Sequence, residues 1–149
     1  MLQYLRSTNS DSIISPQENL QSGSWVRCER PSDEEVSQLL ALGLDEDLIS
    51  DALDPHEVPR IEFDDEWTYL IARLPDTDDD FNDFTTPILF CINKDHIVTL
   101  SRDSLGRLWQ PFIDKVRIRT DRQVELLVAM VEAISMQYQR RVATINRQM

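Results

Sequence analysis

The residues Gly43 to Pro75, GLDEDLISDALDPHEVPRIEFDDEWTYLIARLP, decide the fold of this 149-residue chain. A short amphipathic helix is predicted to begin at Asp45. Pro55 ends this helix, because proline disfavours helical geometry in the residue before it. Two strands are predicted next, at Arg60–Phe63 and Trp67–Leu74. A short helix followed by two strands is therefore the predicted centre of the molecule.

The sequence before this segment predicts two more strands and one more helix. The strands lie at Leu2–Arg6 and Trp25–Glu29, and a polar loop from Ser7 to Ser24 joins them. Ser32-Asp-Glu-Glu35 is a capping box, in which the serine and glutamate side chains each accept from a backbone N–H group. The helix that it begins is expected to end near Gly43.

A hairpin is predicted after the central segment, from strands at Thr85–Ile92 and Ile97–Ser101. The linker from Asp76 to Asp83 is too charged and too poor in apolar residues to pack. The predicted class is therefore α+β, with a mixed or antiparallel sheet, flanking helices and a long C-terminal amphipathic helix.

This acidic linker also carries the alternate acids of a calcium loop, at Asp76, Asp78 and Asp80. Its sixth position is Phe81, where glycine makes the sharp turn, and its twelfth is Pro87, where a bidentate glutamate belongs. We therefore predict a solvated hairpin loop that attracts cations only weakly and without specificity.

The C-terminal helix is predicted from apolar residues that recur at spacings of three and four after Asp121. They are Val124, Leu127, Val128, Val131, Ile134, Tyr138, Val142 and Ile145. A helix this long exceeds what a small sheet covers, so we expect its far end to pack on something else. The predicted division is an α+β domain over residues 1–120 and the start of this helix over residues 121–149.

Composition narrows the possible partners. Acidic residues outnumber basic ones by 27 to 15, and the net charge is −12. Such a surface repels phosphate backbones, which argues against nucleic acid as a partner, and it attracts cations or basic surfaces. No apolar run approaches the roughly 20 residues that cross a bilayer. Cys28 and Cys91 are far apart and are expected to be reduced thiols, with Cys91 in the core.

No catalytic motif is indicated, and we do not expect an enzyme. His56-Glu57 lacks the second histidine of a zinc protease, since Arg60 stands where that histidine belongs. The three glycines are too dispersed for a phosphate-binding loop. Structural roles are expected instead for the three tryptophans, as core anchors, and for Arg60 and Arg73, in salt bridges with Glu62 or Asp64.

Asp51 is the candidate functional residue. It lies in the last turn of the short helix, close before Asp54, where an anionic side chain is disfavoured by about 0.3–1 kcal/mol. In one interpretation, Asp54 helps to end the helix and Asp51 pairs with a base such as Arg60. In the other, Asp51 points at a cation that a neighbouring subunit shares.

The run Asp51-Ala-Leu-Asp-Pro55, the motif Pro59-Arg60-x-Glu62 and a strand ending in Arg73-Leu-Pro75 together resemble a known family. They are similar to the amino-terminal cytoplasmic domain of CorA-family divalent-cation channels, which carry magnesium and sometimes cobalt, nickel or zinc. Trp25 to Pro31 and the helix from Ser32 precede the motif in the expected order. The family's Gly-Met-Asn pore signature and its two membrane helices do not occur in this sequence.

The resemblance implies that Asp51 contacts a regulatory metal between adjacent cytoplasmic domains, with Mg²⁺ the family default and Co²⁺, Ni²⁺ or Zn²⁺ as alternatives. Some relatives place a glutamate before this aspartate, where this chain has Ser50. The acidic residue that opposes this aspartate in the family would lie beyond Met149. Another acidic residue of the family, near the start of the long helix, aligns with Met136 or Gln137, so this chain departs from the family pattern there. Magnesium is usually held by one or two carboxylates while it keeps several waters, so weak binding is expected.

The function implied is that of a regulatory domain on the cytoplasmic face of the cell membrane, soluble by itself and tied to the membrane only through helices outside this sequence. In intact family members, five such domains form a ring, and bound magnesium holds it closed. Magnesium favours the closed ring because it binds the closed ring more tightly than the open arrangement. The alternative is a stand-alone acidic interaction module that dimerises through its C-terminal helix and is disrupted by Val142→Asp.

Overall fold

The computed structural model describes residues 1–9, 12–77 and 83–148. The strands are β1 (Leu2–Arg6), β2 (Ser15–Gln17), β3 (Ser24–Glu29), β4 (Arg60–Phe63), β5 (Thr68–Thr77), β6 (Asp83–Ile92) and β7 (Ile97–Ser101). The helices are α1 (Asp33–Ala41), α2 (Glu46–Ala52), α3 (Gly106–Lys115) and α4 (Gln123–Gln148). All the strands belong to one sheet, in the order β2-β1-β3-β7-β6-β5-β4. Only β3 and β7 pair in parallel among these neighbours, so the predicted mixed sheet and the α+β class are confirmed.

Helices cover both faces of the sheet, because successive side chains of a strand point to opposite faces. Val26 of β3 packs with α1 and α2 on one face, in a cluster that includes Leu39 and Ile49. Trp25, its neighbour in sequence, packs with α3 and α4 on the other face, beside Trp109. All three tryptophans are buried, as predicted, and both cysteines are free and buried.

The two short helices begin where local signals predicted. Ser32 accepts from the N–H of Glu35, and the Glu35 carboxylate accepts from the N–H of Ser32, which completes the capping box. Asp45 caps α2 and accepts from the N–H groups of Asp47 and Leu48. These bonds satisfy donors that the first turn of a helix otherwise leaves without partners.

Helix α3 was not predicted. Its N-cap, Leu105, makes no side-chain capping bond, and Pro111 lies inside the helix. Both features oppose a prediction of helix from sequence. The helix forms because one of its faces is buried against β3 and α4, through Leu108, Trp109, Phe112 and Ile113.

The single apolar stripe predicted for α4 is wrong, since the helix has two. Leu126, Met130 and Ile134 are buried against the sheet and α3. The exposed stripe consists of Val124, Val128, Val131, Tyr138, Val142 and Ile145. The predicted set combined residues from both, because the two stripes adjoin on the helix surface and each recurs at intervals of three and four.

One additional strand and the ends of two others also differ from the sequence prediction. Strand β2 lies inside the predicted loop between β1 and β3, because its backbone pairs with β1. Strands β5 and β6 extend to Thr77 and Asp83, into the acidic linker that was predicted not to pack, and these two residues are partners in the ladder. The predicted calcium-like positions Asp78, Asp80 and Phe81 lie outside the described residues.

A buried ion pair ties α3 to the sheet. Arg27 and Glu29 lie on β3 and form a salt bridge with side chains only 8% and 3% exposed. The Glu29 carboxylate also accepts from the N–H of Leu105 at 2.7 Å. The glutamate therefore compensates a buried arginine and supplies the capping bond that the N-cap of α3 does not make for itself.

Candidate functional site

Asp51 lies in the last turn of α2, on the side of the sheet that carries α1 and α2. The helix is held there by Leu48, Ile49 and Ala52, which are buried. Its entry is fixed by the Asp45 N–H, which donates to the Tyr69 hydroxyl at 3.0 Å. Asp51 is 40% exposed and is therefore positioned by buried neighbours while remaining accessible to solvent.

Arg60 of β4 is the immediate partner of Asp51. Its Nη2 lies 2.5 Å from Asp51 Oδ2, and its Nε lies 3.0 Å from Glu62 Oε1. Its Nη1 pairs with Glu57. One guanidinium thus holds three carboxylates. Partial burial acts to lower the pKa of Arg60, but its hydrogen bonds to Asp51 and Glu62 prevail and raise it.

The predicted pairing of Asp51 with a nearby base is therefore present in the fold, and so is the predicted pair between Arg60 and Glu62. Glu57 was not anticipated. It is close because the chain turns between Pro55 and β4, so a residue only three positions from Arg60 comes beside it. The two flanking prolines were the signal in the sequence that could have indicated this turn.

Arg73 has the predicted structural role, but among the described residues it forms no salt bridge with Glu62 or Asp64, and Asp64 forms none with Arg60. Arg73 donates to the carbonyl oxygens of Pro55, Glu57 and Thr85 at 2.9, 2.7 and 2.6 Å, which ties the turn after α2 to β5 and β6. These carbonyl groups cannot be inferred from the sequence, because every residue has one. Arg73 therefore helps to position Glu57, and Glu57 in turn pairs with Arg60. Arg73 itself does not pair with any of the three carboxylates around Arg60.

Asp64 stabilises the turn between β4 and β5. Partial burial acts to raise the pKa of this carboxyl, but hydrogen bonds from the N–H groups of Trp67 and Glu66 and from the Tyr69 hydroxyl prevail, and the pKa is lowered. Tyr69 links this turn to Asp45 at the start of α2. Asp64 thus has a structural role and does not contribute to the group around Arg60.

The composition of the site limits how it could bind a metal. Within residues 1–9, 12–77 and 83–148, no three histidine, cysteine, aspartate or glutamate residues are grouped so that they could hold a metal ion. Asp51 offers one accessible carboxylate, and Arg60 competes with any cation for it. One carboxylate is enough for Mg²⁺, which keeps several waters. The residues present thus fit a weak, incomplete magnesium site and not a closed zinc site.

The fold matches several solved structures along almost the whole chain. The soluble domain of CorA from Methanocaldococcus jannaschii aligns with a TM-score of 0.82 at 22% identity, covering 99% of this chain and 61% of that one. The complete CorA magnesium transporter from the same organism gives a TM-score of 0.76 at 20% identity, with coverages of 99% and 48%. The ZntB cytoplasmic domain from Vibrio parahaemolyticus RIMD 2210633 gives 0.72 at 14% identity, with coverages of 97% and 62%. At these identities the likeness concerns the fold.

The chain spans less than two thirds of the length of each of these structures. No helix in the described part of the chain has both the length and the apolar character that a membrane crossing requires. Among curated proteins, none matches this sequence.

The sequence match to a family model agrees with the fold. Residues 21–149 match the model described as CorA-like Mg2+ transporter protein. This range includes the segment from Gly43 to Pro75, and it extends to residue 149. The chain therefore belongs to the family of CorA-like Mg2+ transporter proteins, which is a transporter family and not an enzyme family.

Proposed function

We propose that this chain is a regulatory part of a CorA-like transporter and responds to divalent cations, with Mg²⁺ as the physiological ion. The observation that carries the proposal is the position of Asp51. Its carboxylate is 40% exposed at the C-terminal end of α2, where the helix dipole already disfavours an anion. A cation bound there would relieve this unfavourable interaction.

The three carboxylates around Arg60 support the same function. Asp51, Glu57 and Glu62 carry three negative charges against one positive charge, so the group attracts a second cation. Asp51 would hold the ion together with water molecules, and a neighbouring copy of the chain would supply opposing ligands. Co²⁺, Ni²⁺ or Zn²⁺ would be attracted by the same charge, although magnesium suits a single carboxylate best.

The proposed regulation is electrostatic and depends on self-association. Copies of a chain with a net charge of −12 repel each other when they are held side by side. A cation shared between two copies reduces that repulsion and favours the arrangement in which the copies approach each other. Because the ion binds that arrangement better, its concentration determines which arrangement is populated. A ring of five copies on the cytoplasmic face of the membrane, as in the sequence-based expectation, is consistent with this scheme.

Thermal unfolding in magnesium tests the proposal through Asp51→Asn. Magnesium at ten times its dissociation constant stabilises a folded protein by about 1.4 kcal/mol, which raises the melting temperature of a chain of this size by about 3–5 °C. We expect this increase for the wild type and a much smaller one for Asp51→Asn. The unfolding curves are measured with magnesium chloride and with sodium chloride at equal ionic strength.

Asp47→Asn is the matched control, because Asp47 is an exposed aspartate on the same helix whose substitution changes the net charge equally. It should keep the wild-type response to magnesium. An equal response in Asp51→Asn and in the wild type would contradict the proposal, as would an equal increase in sodium chloride.

A further inference from the structure

The charges of this chain are divided unevenly along its sequence. Residues 106–149, which contain α3 and α4, have eight basic and four acidic residues, whereas the remaining chain has seven and 23. The layer of α3 and α4 therefore carries a net positive charge on a protein that is acidic as a whole. Such a layer attracts anions that the rest of the molecule repels.

A groove with a volume of about 300 Å³ lies between α3 and α4. Its apolar lining comes from both helices and includes Leu108, Pro111, Phe112, Ala129, Ala133 and Met136. Leu108 and Phe112 are each only 6% exposed, whereas Met136 is 51% exposed. The groove thus has a buried apolar floor and a rim that solvent reaches.

Three basic side chains surround this apolar lining. Arg107, Lys115 and Arg140 all line the groove, and none of them forms an ion pair within residues 1–9, 12–77 and 83–148. Glu132 is the acidic residue of the lining. By contrast, ion pairs hold Arg27, Arg60, Arg102, Arg119, Arg122 and Arg141. Unpaired cations around an apolar groove, in a chain with 27 acidic residues, indicate a ligand that is both anionic and apolar.

Two of these cations lie at the same end of the groove. Only seven residues, 116–122, join α3 to α4, so the end of α3 lies near the start of α4. The start of α3 lines a second cavity, of about 560 Å³, together with Gln137 and Arg141 of α4. The two helices are therefore antiparallel. Arg107 lies at the same end of the groove as Arg140, and Lys115 lies at the other end.

Further donors without partners lie at the end with the two arginines. The Arg141 Nε is buried and has no hydrogen-bond partner among the described residues, although its Nη2 pairs with Asp83. Leu105 gives α3 no side-chain cap, and in the described part of the chain the N–H groups of Gly106 and Arg107 have no acceptor. A side chain at Gly106 would begin with no atom within 4 Å, so this helix terminus is accessible. Free N–H groups at such a terminus favour an anion.

We propose that the groove binds a single-chain anionic amphiphile of the fatty-acid class. Its head lies where the two cavities adjoin, at Arg107, Leu108 and Gln137, which line both, and Arg107 and Arg140 bind it. Asp76 lines the second cavity, so an anion is more favourable at the junction than deeper in that cavity. The acyl chain follows the apolar lining towards the end of α3. This site lies on the opposite face of the sheet from α2 and does not rest on the proposed cation response.

The size of the groove favours one extended chain over a helix of a protein partner. A helix is about 10 Å across with its side chains, so a volume of 300 Å³ corresponds to less than one helical turn. An acyl chain is much thinner and can bury several CH₂ groups in the same space. Each buried CH₂ group contributes up to about fourfold in affinity.

Calorimetric titration with a series of fatty acids, below their micelle concentrations and with a chelator present, tests the proposal. We expect dodecanoate to bind saturably, and decanoate and octanoate to bind more weakly, by up to about fourfold for each CH₂ group removed. Acetate, which has the head alone, should show no saturable binding. Dodecyl maltoside, which has the chain without a charge, should bind more weakly than dodecanoate by about 2- to 30-fold, because it forms no ion pair with either arginine.

The double variant Arg107→Gln, Arg140→Gln tests the position of the head. It removes both proposed ion pairs and should weaken dodecanoate binding by about 2- to 30-fold. The matched control is the double variant Lys115→Gln, Arg147→Gln. It removes two exposed cations from the same two helices, one at the other end of the groove and one outside the lining, and should bind dodecanoate like the wild type.

Met136→Glu tests the position of the chain. A carboxylate in the apolar lining should weaken dodecanoate binding by at least about fivefold, because the acyl chain would cover a charged group. The fold should tolerate this change, since Met136 is 51% exposed. Ser135→Glu is the control, because Ser135 is exposed, lies outside the lining and gives the same change in net charge. It should bind dodecanoate like the wild type.

Several results would overturn the proposal. The first is the absence of saturable dodecanoate binding by the wild type. Equal affinities for dodecanoate and dodecyl maltoside would show that the cations do not contribute, and equal affinities for dodecanoate and acetate would show that the chain does not. Equal effects of the two double variants, or of Met136→Glu and Ser135→Glu, would mean that the amphiphile binds outside this groove.

Discussion

Replacing Glu29 with alanine is expected to lower the free energy of unfolding by about 3–5 kcal/mol, because breaking a buried ion pair leaves its partner charged and uncompensated. Arg27 is 8% exposed and would keep its charge inside the fold. The N–H of Leu105 would also lose its acceptor at the start of α3. The measurement is urea denaturation followed by circular dichroism, with the unfolding free energy extrapolated to zero denaturant.

Two further variants separate the ion pair from a general effect of removing a glutamate. The double variant Arg27→Met, Glu29→Leu removes both charges and should be less destabilised than Glu29→Ala, since no buried charge remains without a partner. Glu34→Ala changes an exposed residue of α1 and should alter stability by no more than about 0.5 kcal/mol. If Glu29→Ala were as stable as Glu34→Ala, the structural role assigned to the buried pair would be wrong.

The second large effect is expected for Trp109→Ala, which should cost about 3–5 kcal/mol. Trp109 is fully buried on α3. Its ring meets those of Trp25 and Phe112 edge to face, at centroid distances of 5.1 and 5.5 Å. Removing it leaves a cavity at the junction between α3 and the sheet. The same denaturation experiment measures the loss.

Trp109→Phe should retain most of the stability. The Trp109 indole N–H has no partner among the described residues, and a buried polar group without a partner costs about 1–3 kcal/mol. Phenylalanine removes that cost and keeps an aromatic ring. Equal losses for the alanine and phenylalanine variants would show that the indole N–H is paired or that the cavity is not the dominant cost.

The parts of the fold that could be predicted from sequence depend on signals close together in the chain. The capping box at Ser32, the cap at Asp45 and the stop at Pro55 are local, and α1 and α2 begin and end where these residues indicate. Strand periodicity also located most of the sheet. The side of the sheet on which each helix packs required long-range contacts that the pattern does not contain.

Helix α3 and the two stripes of α4 illustrate what could not be predicted. The face of α3 that includes Trp109 is stabilised by Trp25, which is far away in sequence. On α4, Ile134 and Tyr138 have suitable spacing for one stripe, yet the first is buried in the core and the second is exposed. The spacing of apolar residues shows that a helix is amphipathic, but it does not show how many surfaces the helix contacts.

The position of Asp51 in the last turn of α2 agrees with the sequence, but its role as a metal contact stays a proposal. Asp51 pairs with Arg60 in the structure, as one of the two interpretations of the sequence predicted. This pairing is compatible with cation binding because Asp51 remains accessible to solvent. Arg60 then acts as an internal competitor for the carboxylate. The competition between Arg60 and a cation for Asp51 could not be predicted from the sequence, because the turn that brings Glu57 to Arg60 depends on the contacts of Arg73.

The competition suggests the most direct measurement, which is calorimetric titration of magnesium into the wild type, Asp51→Asn and Arg60→Met. Exposed ion pairs are worth about 0.2–1 kcal/mol, so removing the competing guanidinium should tighten magnesium binding by up to about fivefold. Arg102→Met is the control, because it removes an exposed arginine from a different part of the surface. We expect tighter binding for Arg60→Met than for the wild type, with Arg102→Met unchanged and Asp51→Asn without saturable binding. Equal binding by all four proteins would contradict this expectation and would mean that magnesium associates with the acidic surface as a whole.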